Sequence, residues 1–425
     1  MKKMIPHQNP SLYGVCIVLL GALFYFYEYF LRISPGIMKT DLMQYYHLDA
    51  TLFGTLVGFY YYAYSPMQLA VGVILDRYPN RVILTSAIVC CALGSYLFAH
   101  STDFAWAALG RFMQGLGSAF AFVGALKLAS RWLPAWWFAS FAGLCHAFGL
   151  IGGAIGNISL TDLLQHWGWQ KLMDSFMVIG FVFAGVMWLG LTQLPKRAPV
   201  FQEQSASICT LKEASSALWQ LVKTPYIWAA GVLGGLMFLP TIVFADLWGI
   251  SYFQRFHGYT LSQAGFAIAM IYFGWALGGP CQGILSSVWQ KRTRLLFWNA
   301  LIAAFLAAVL LFWQGLTYPV LCALCFIWGI FSSAEILTFA MARDVSTVKT
   351  AGMALALVNF LVMSSGLFMQ TRVGHLLDLS WSGHLLNGVR IYTVRDYQRA
   401  LIAVPVCLLA ASVLAFFVKD RRLVN

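Results

Sequence analysis

Apolar residues in this chain come in long runs broken by short polar stretches, not in the three-in-seven stripes of a water-soluble helix. Twelve runs can be drawn, over 12–35, 51–71, 82–100, 104–128, 136–158, 172–193, 225–250, 262–286, 294–313, 318–341, 351–375 and 397–418. Each is close to the ~20 residues a helix needs to cross about 30 Å of hydrocarbon. A helix that is apolar all round is buried in protein or lipid. Residues 194–224 form the longest polar break and divide six runs from six. The pattern predicts an all-α integral membrane protein with twelve transmembrane helices. It divides into an N-terminal six-helix half over 1–193, a cytoplasmic linker over 194–224 and a C-terminal six-helix half over 225–425. A second polar stretch, 377–396, separates the last two spans.

Composition sharpens the membrane reading. Only 10% of the 425 residues are charged, against about 25% in soluble domains. The net charge of +12 is spread through short loops and forms no stripe, so it reads as topology and not as a nucleic-acid surface. With the N-terminus placed in the cytoplasm, seventeen of the 27 Lys and Arg fall in cytoplasmic segments and seven in outer ones, Lys39 among the seven. The bias makes both termini cytoplasmic. The first run is too long for a cleaved signal peptide and carries charges, so it reads as a retained span. Of nine cysteines, eight sit in apolar runs and Cys209 in the linker. Cys322 and Cys325 have metal-ligand spacing but no second pair nearby, and read as packing residues.

A few charges lie inside the runs. Glu28 and Arg32 are four residues apart in the first, on one face of a helix. A charge at mid-bilayer costs about 2.5–3.5 kcal/mol on insertion scales, and persists when paired or facing a wet cavity. Arg111 and Lys127 fall in span four, Asp246 in span seven and Glu335 in span ten. The halves also repeat. Gly72 is followed nine residues later by Arg81 after span two, and Gly283 by Arg292 after span eight, though the second copy lacks the acid–arginine pair of Asp76 and Arg77. Two repeated halves suit a carrier with its site between them.

At these residues a resemblance appears. Gly72, Asp76, Arg77 and Arg81 resemble the signature loop of the major facilitator superfamily, and Arg111, Gln114, Gly115 and Gly117 its span-four motif. The resemblance covers the whole chain and implies the major facilitator fold. It implies a conformational gate of Gly72, Asp76, Arg77, Arg81 and Arg111, with Asp76 facing a helix N-terminus of the other half. It also implies that spans one, four, seven and ten line the cavity. Span five carries Gly149, Gly152, Gly153 and Gly156 without the proline of the antiporter motif, which favours symport or uniport. The stretches 27–35 and 392–401 are similar to the proteobacterial phagosomal transporters, which implies amino acids or nucleosides as cargo.

The expected substrate contacts are Arg32, Glu28, Tyr61, His146 and Asn359. Arg32 can hold a carboxylate through two parallel bonds. Tyr61 belongs to a tyrosine cluster with Tyr60, Tyr62 and Tyr64 that offers hydroxyls and ring faces. Glu28, Asp246 and Glu335 are the proton-coupling candidates. A carboxylate competing with Glu28 for Arg32 would couple proton to substrate. The alternatives are that Glu28 and Arg32 are a static pair, that Arg111 is tied to backbone carbonyls, that Asp246 is interfacial, that Glu335 is tied to Lys127, and that His146 is a packing residue.

The expectation is a secondary transporter working by alternating access, importing an amino acid or similar zwitterion with protons across a bacterial inner membrane. Nucleosides, short peptides and organic anions are alternative cargoes. Export of a metabolite or siderophore is an alternative direction, and a transporter-like sensor an alternative class. No nucleotide-binding loop, metal-ligand cluster or nucleophile–base pattern is present, so neither an enzyme nor a cofactor is expected. The expected partners are a small-molecule substrate, protons and the lipid bilayer, and the protein is expected to be a monomer.

Overall fold

A computed structural model describes residues 11–191, 211–289, 291–347, 350–386 and 389–420. Eleven helical units among them are long and apolar enough to cross a membrane. They are Leu12–Ile37, Asn80–His100, Phe104–Trp132, Ser140–Trp167, Trp169–Gly190, Pro225–His257, Leu261–Trp289, Arg292–Phe312, Tyr318–Asp344, Ala351–Leu379 and Val394–Phe417. The twelfth expected span forms a helix of 28 residues, Ala50–Arg77, but falls short of that apolarity. The reason lies in its own side chains: four tyrosines, Gln68, Asp76 and Arg77 take the places of aliphatic residues. The twelve units are numbered below as spans one to twelve in chain order, Ala50–Arg77 being span two.

The backbone breaks where the cavity-lining spans were expected. Span four is interrupted between Phe104–Ser118 and Ala121–Trp132. Span seven winds as a π-helix over Pro240–Trp248, starting at a proline that has no N–H to give. Span ten tightens to a 3₁₀ turn over Ser333–Glu335. Irregular backbone inside a bilayer is tolerated where protein or a water-filled cavity surrounds it, and π-segments are frequent at functional sites.

Three features lie outside the spans. A short helix, Lys39–Tyr45, follows span one. Leu385–Leu386 pairs antiparallel with Val389–Arg390 between spans eleven and twelve. Within the expected linker, residues 192–210 (Lys196, Arg197 and Cys209 among them) are outside the described residues, and Leu211–Val222 is helical.

The first six spans meet the last six chiefly along spans two and eleven and along spans five and eight. The start of span one and the end of span twelve lie at one end of the bundle, called here the near end. At the far end the approach is backbone to backbone. A Cβ on Gly374 of span eleven would stand 2.1 Å from the Ala50 oxygen of span two, and one on Gly36 of span one 2.1 Å from the Asp246 oxygen of span seven. Small residues let helices close in this way. At the near end of spans two, five, eight and eleven, Gly72, Gly143, Gly283 and Gly352 have nothing within 4 Å of a built Cβ. The two sets of six therefore touch at the far end and diverge toward the near end.

Candidate functional site

Glu28 and Arg32 meet as their spacing predicts. Both are buried, and Glu28 Oε1 accepts from Arg32 Nε at 2.8 Å and Nη2 at 2.5 Å. The same oxygen accepts from the Tyr60 hydroxyl of span two, while Glu28 Oε2 has no partner among the described residues. The Arg32 guanidinium lies 4.8 Å from the Tyr29 ring centroid, 5.1 Å from Tyr64 and 5.9 Å from Tyr60. Ring faces attract a desolvated cation by about 2 kcal/mol, which lessens the cost of holding a guanidinium away from water.

Arg111 enters from span four. Its Nη1 donates to the Leu31 carbonyl at 2.8 Å and to Gln114 Oε1 at 2.6 Å, so the backbone tie considered for it is present. Gln114 is itself held by Ser95 at 3.0 Å. The Arg111 guanidinium lies 5.0 Å from the opposite partner of Arg32, the Tyr60 ring. That approach depends on Gly115, where a Cβ would stand 2.0 Å from the Tyr60 oxygen. Arg111 Nε and Nη2 are buried without partners among the described residues. Those two atoms form one edge of the guanidinium fork, the geometry that takes a carboxylate by two bonds. Two guanidinia and one carboxylate thus share Tyr60, and this cluster carries one net positive charge when all three are ionised.

Asp246 is buried within the protein, 2% exposed, in the π-segment. Its carboxylate accepts from Tyr61 of span two at 3.0 Å and from Tyr272 of span eight. Tyr61 is therefore engaged with Asp246 and not with Arg32. Tyr272 meets the Tyr29 ring edge-on at 6.3 Å, which joins the Glu28 and Asp246 clusters. Glu335 is also buried, and its carboxylate has no ion-pair partner among the described residues. Lys127 does not reach it, because the Lys127 ammonium is taken by Asp76. His146 is half-buried and meets Phe122 edge-on at 5.8 Å. Asn359 is half-buried and makes no hydrogen bond among the described residues. Neither belongs to the Glu28–Arg32 cluster.

The gate residues are rearranged relative to expectation. Asp76 pairs with Lys127 of its own half and does not face a helix of the other half. Arg81 stacks 3.6 Å from the Trp188 ring centroid and donates to the Trp188 carbonyl at 3.1 Å. Arg77 is exposed at the end of span two. In the second repeat Arg292 pairs with Asp344 of span ten, so the missing acid of that loop is supplied from another helix with the signs exchanged.

The acid-on-helix geometry expected of Asp76 occurs at the far end instead. Asp378 of span eleven accepts from the backbone N–H groups of Thr51 at 2.7 Å and Ala50 at 3.3 Å, the first turn of span two. It also accepts from the Thr51 and Tyr392 hydroxyls and from Arg390 at 3.0 Å. Helix N-termini leave N–H donors unpaired and favour a negative charge. Burial, and then the Asp378 carboxylate, push the Tyr392 hydroxyl above its ordinary range, which keeps it a donor. In the reverse direction Lys39 of the first six spans is buried among Trp248, Tyr392 and Tyr397 of the last six. Sequence reasoning missed both residues. Asp378 opens the polar stretch 377–396 and was read as loop, and Lys39 counted only as an exception to the charge bias. Clustered aromatics at 392 and 397 were the available signal.

The profile of the Major Facilitator Superfamily matches residues 18–370. The probable galactarate/D-glucarate transporter GarP of Escherichia coli (strain K12) is 24% identical over 284 residues, 61% of this chain and 64% of GarP. The chain thus matches just under two thirds of that relative's length. The hexuronate transporter of Bacillus subtilis (strain 168) is 24% identical over 418 residues, 92% of this chain and 94% of the relative. Among solved structures, a bacterial homolog of the human lysosomal transporter Spinster, described as inward-facing and unoccupied, superposes with a TM-score of 0.78. It covers 98% of this chain and 100% of its own at 15% identity, which shows the fold. These two relatives are named for galactarate/D-glucarate and hexuronate transport, so the narrower likeness to phagosomal amino-acid and nucleoside transporters is corrected: 27–35 and 392–401 are too short to fix a branch.

Proposed function

On the premise that this chain belongs to the major facilitator superfamily, we propose that it is a secondary transporter of a small organic-acid anion of the sugar-acid kind. The amino-acid cargo expected from the sequence gives way to the organic-anion alternative. The observation that carries the reading is the pair of buried guanidinia on Tyr60, with the Nε–Nη2 edge of Arg111 left without a partner. A zwitterion would ask for an equally available carboxylate. Here the unpartnered Glu28 Oε2 belongs to a carboxylate whose charge Arg32 already matches, and Asp246 is held by two tyrosines, so the uncompensated charge of the cluster is the Arg111 guanidinium. The names of GarP and the hexuronate transporter support the same chemical class.

Alternating access follows from two bodies that touch at one end and diverge at the other. The excess of Lys and Arg supports a cytoplasmic near end, and on that reading the structure is open inward. Arg32 and Arg111 hold the carboxylate. Glu28 is the group that gains freedom when the substrate takes Arg32 from it, and is the coupling residue in this reading.

The test is uptake into proteoliposomes of labelled D-glucuronate, D-glucarate and galactarate, with glutamate, alanine and uridine as competitors. Uptake of at least one acid, competed by the other acids and not by alanine or uridine, is expected. Arg111→Gln should raise KM by about tenfold or more, as expected for a lost charged hydrogen bond. Competition by alanine or uridine matching that of the acids would overturn the assignment.

A further inference from the structure

Lys39 is a buried cation with no carboxylate within 4 Å among the described residues. Its ammonium donates to the Tyr397 hydroxyl and lies 4.9 Å from the Tyr397 ring centroid, 5.2 Å from Trp248 and 5.8 Å from Tyr392. Arg390, by contrast, is held by Asp378 at 3.0 Å and faces Asp49 at 3.9 Å. The caged lysine is therefore held by ring faces and one hydroxyl, and not by a counter-ion.

Two further observations bear on what it does. The cage is made wholly by the last six spans and their loops, while Lys39 follows span one. Any separation of the two sets at the far end pulls the ammonium out. Lys39 is also seven residues beyond Arg32, on the short helix that begins after span one ends at Ile37, and so lies farther toward the far end. The cations thus form a ladder from the far-end mouth toward the Glu28 cluster.

We propose that Lys39 is a capture site for the substrate carboxylate at the far end. When that end opens, the freed ammonium takes the arriving acid anion and passes it to Arg32. When the end closes, the cage takes the ammonium back and so releases the anion inward. The chemistry of the cage suits this exchange. A lysine paired to a protein carboxylate would have to break that pair for each substrate, whereas an aromatic face gives up an ammonium to a carboxylate readily, since a single cation–π contact is weaker than a charged hydrogen bond.

This inference rests on the sugar-acid reading above, and the experiment separates the two. Initial rates of D-glucuronate and galactarate uptake are measured in right-side-out and inside-out vesicles carrying the full-length protein. Lys39→Gln should raise KM about tenfold from the far-end face, more for the dianion galactarate than for D-glucuronate, and leave KM from the near-end face unchanged. Lys39→Arg should recover most of the loss. Tyr397→Phe, which loosens the cage but keeps the ammonium, should leave far-face KM at or below that of the unaltered protein. An equal KM change from both faces, a change in maximal rate alone, or a Tyr397→Phe phenotype matching Lys39→Gln would make Lys39 a structural bolt and overturn the capture site. If the unaltered protein moves neither acid from either face, the substrate reading fails first and the capture site falls with it.

Discussion

Asp378 and Asp76 are both carboxylates at the end of a long helix, and they serve opposite ends of the interface between the first and last six spans. Asp378 crosses that interface to the first turn of span two, and Lys39 crosses it the other way into an aromatic cage. At the near end Asp76 pairs with Lys127 within the first six spans, and Arg292 with Asp344 within the last six. Polar groups at a closed end are shared between the two bodies, and those at an open end are neutralised inside each. A rocking carrier needs this asymmetry, because a charge left unpaired on opening would raise the barrier to the next step.

The largest expected disturbance of that asymmetry is at Gly36. A leucine there cannot coexist with the Asp246 backbone at 2.1 Å. Overpacking costs typically about 1–3 kcal/mol, enough to shift a two-state balance by about 5- to 150-fold. Gly36→Leu should hold the far end apart and slow transport to a similar degree. Spin labels at 103 and 314, on exposed far-end loops of the two sets, would report the distance in a cysteine-free background. An unchanged distance would count against the closed far end described here. Asp378→Ala comes next. It strands the Thr51 N–H and the Tyr392 hydroxyl proton and leaves Arg390 only Asp49 at 3.9 Å, while the Ala50 N–H keeps the Tyr392 oxygen at 3.0 Å. Loss of a helix-capping acid costs about 1–2 kcal/mol, so the same labels should show a partial opening, and Asp378→Glu less.

How much of this was readable beforehand differs by level. The spans were legible because hydrocarbon imposes a length and a composition on each helix. Span two was drawn too, over 51–71, although its four tyrosines lower its apolarity below that of the others. The Glu28–Arg32 pair was legible because both residues sit on one helix at a fixed spacing. The partners of Asp76, Asp246 and Lys39 were not, because they depend on how six helices pack and on which end is closed. Local spacing carries no information about either. Arg292 shows the limit well: its loop repeats that of Arg81, yet its acid comes from 52 residues further on.

The Glu28 cluster gives a third, more selective test. Glu28, Arg32, Tyr60 and Arg111 all belong to the first six spans, so rocking does not break their mutual bonds. Glu28→Gln should therefore leave the 103–314 distance unchanged. It should also preserve substrate counterflow while abolishing accumulation driven by an imposed pH gradient. Accumulation that survived the substitution would move the coupling role to Asp246 or Glu335.

The smallest expected effect is at the near end, and it turns on separating stability from turnover. The Asp76–Lys127 pair is exposed on both sides, at 58% and 40% for the side chains. Exposed pairs contribute no more than about 1 kcal/mol, so Asp76→Asn should leave the thermal unfolding midpoint nearly unmoved. Family resemblance nevertheless places this carboxylate on a helix N-terminus of the other half when the near end is closed, the position Asp378 occupies now at the far end. If Asp76 leaves Lys127 on closing, Asp76→Asn should slow turnover several-fold, by the loss of about 1 kcal/mol of helix-terminus attraction, and shift the label distance toward the far-end-closed state seen here. Lys127→Ala should do the reverse, freeing the acid and speeding closure. Both variants slowing transport equally, with an unchanged distance, would show that Asp76 stays with its own half throughout and that the two ends do not exchange roles.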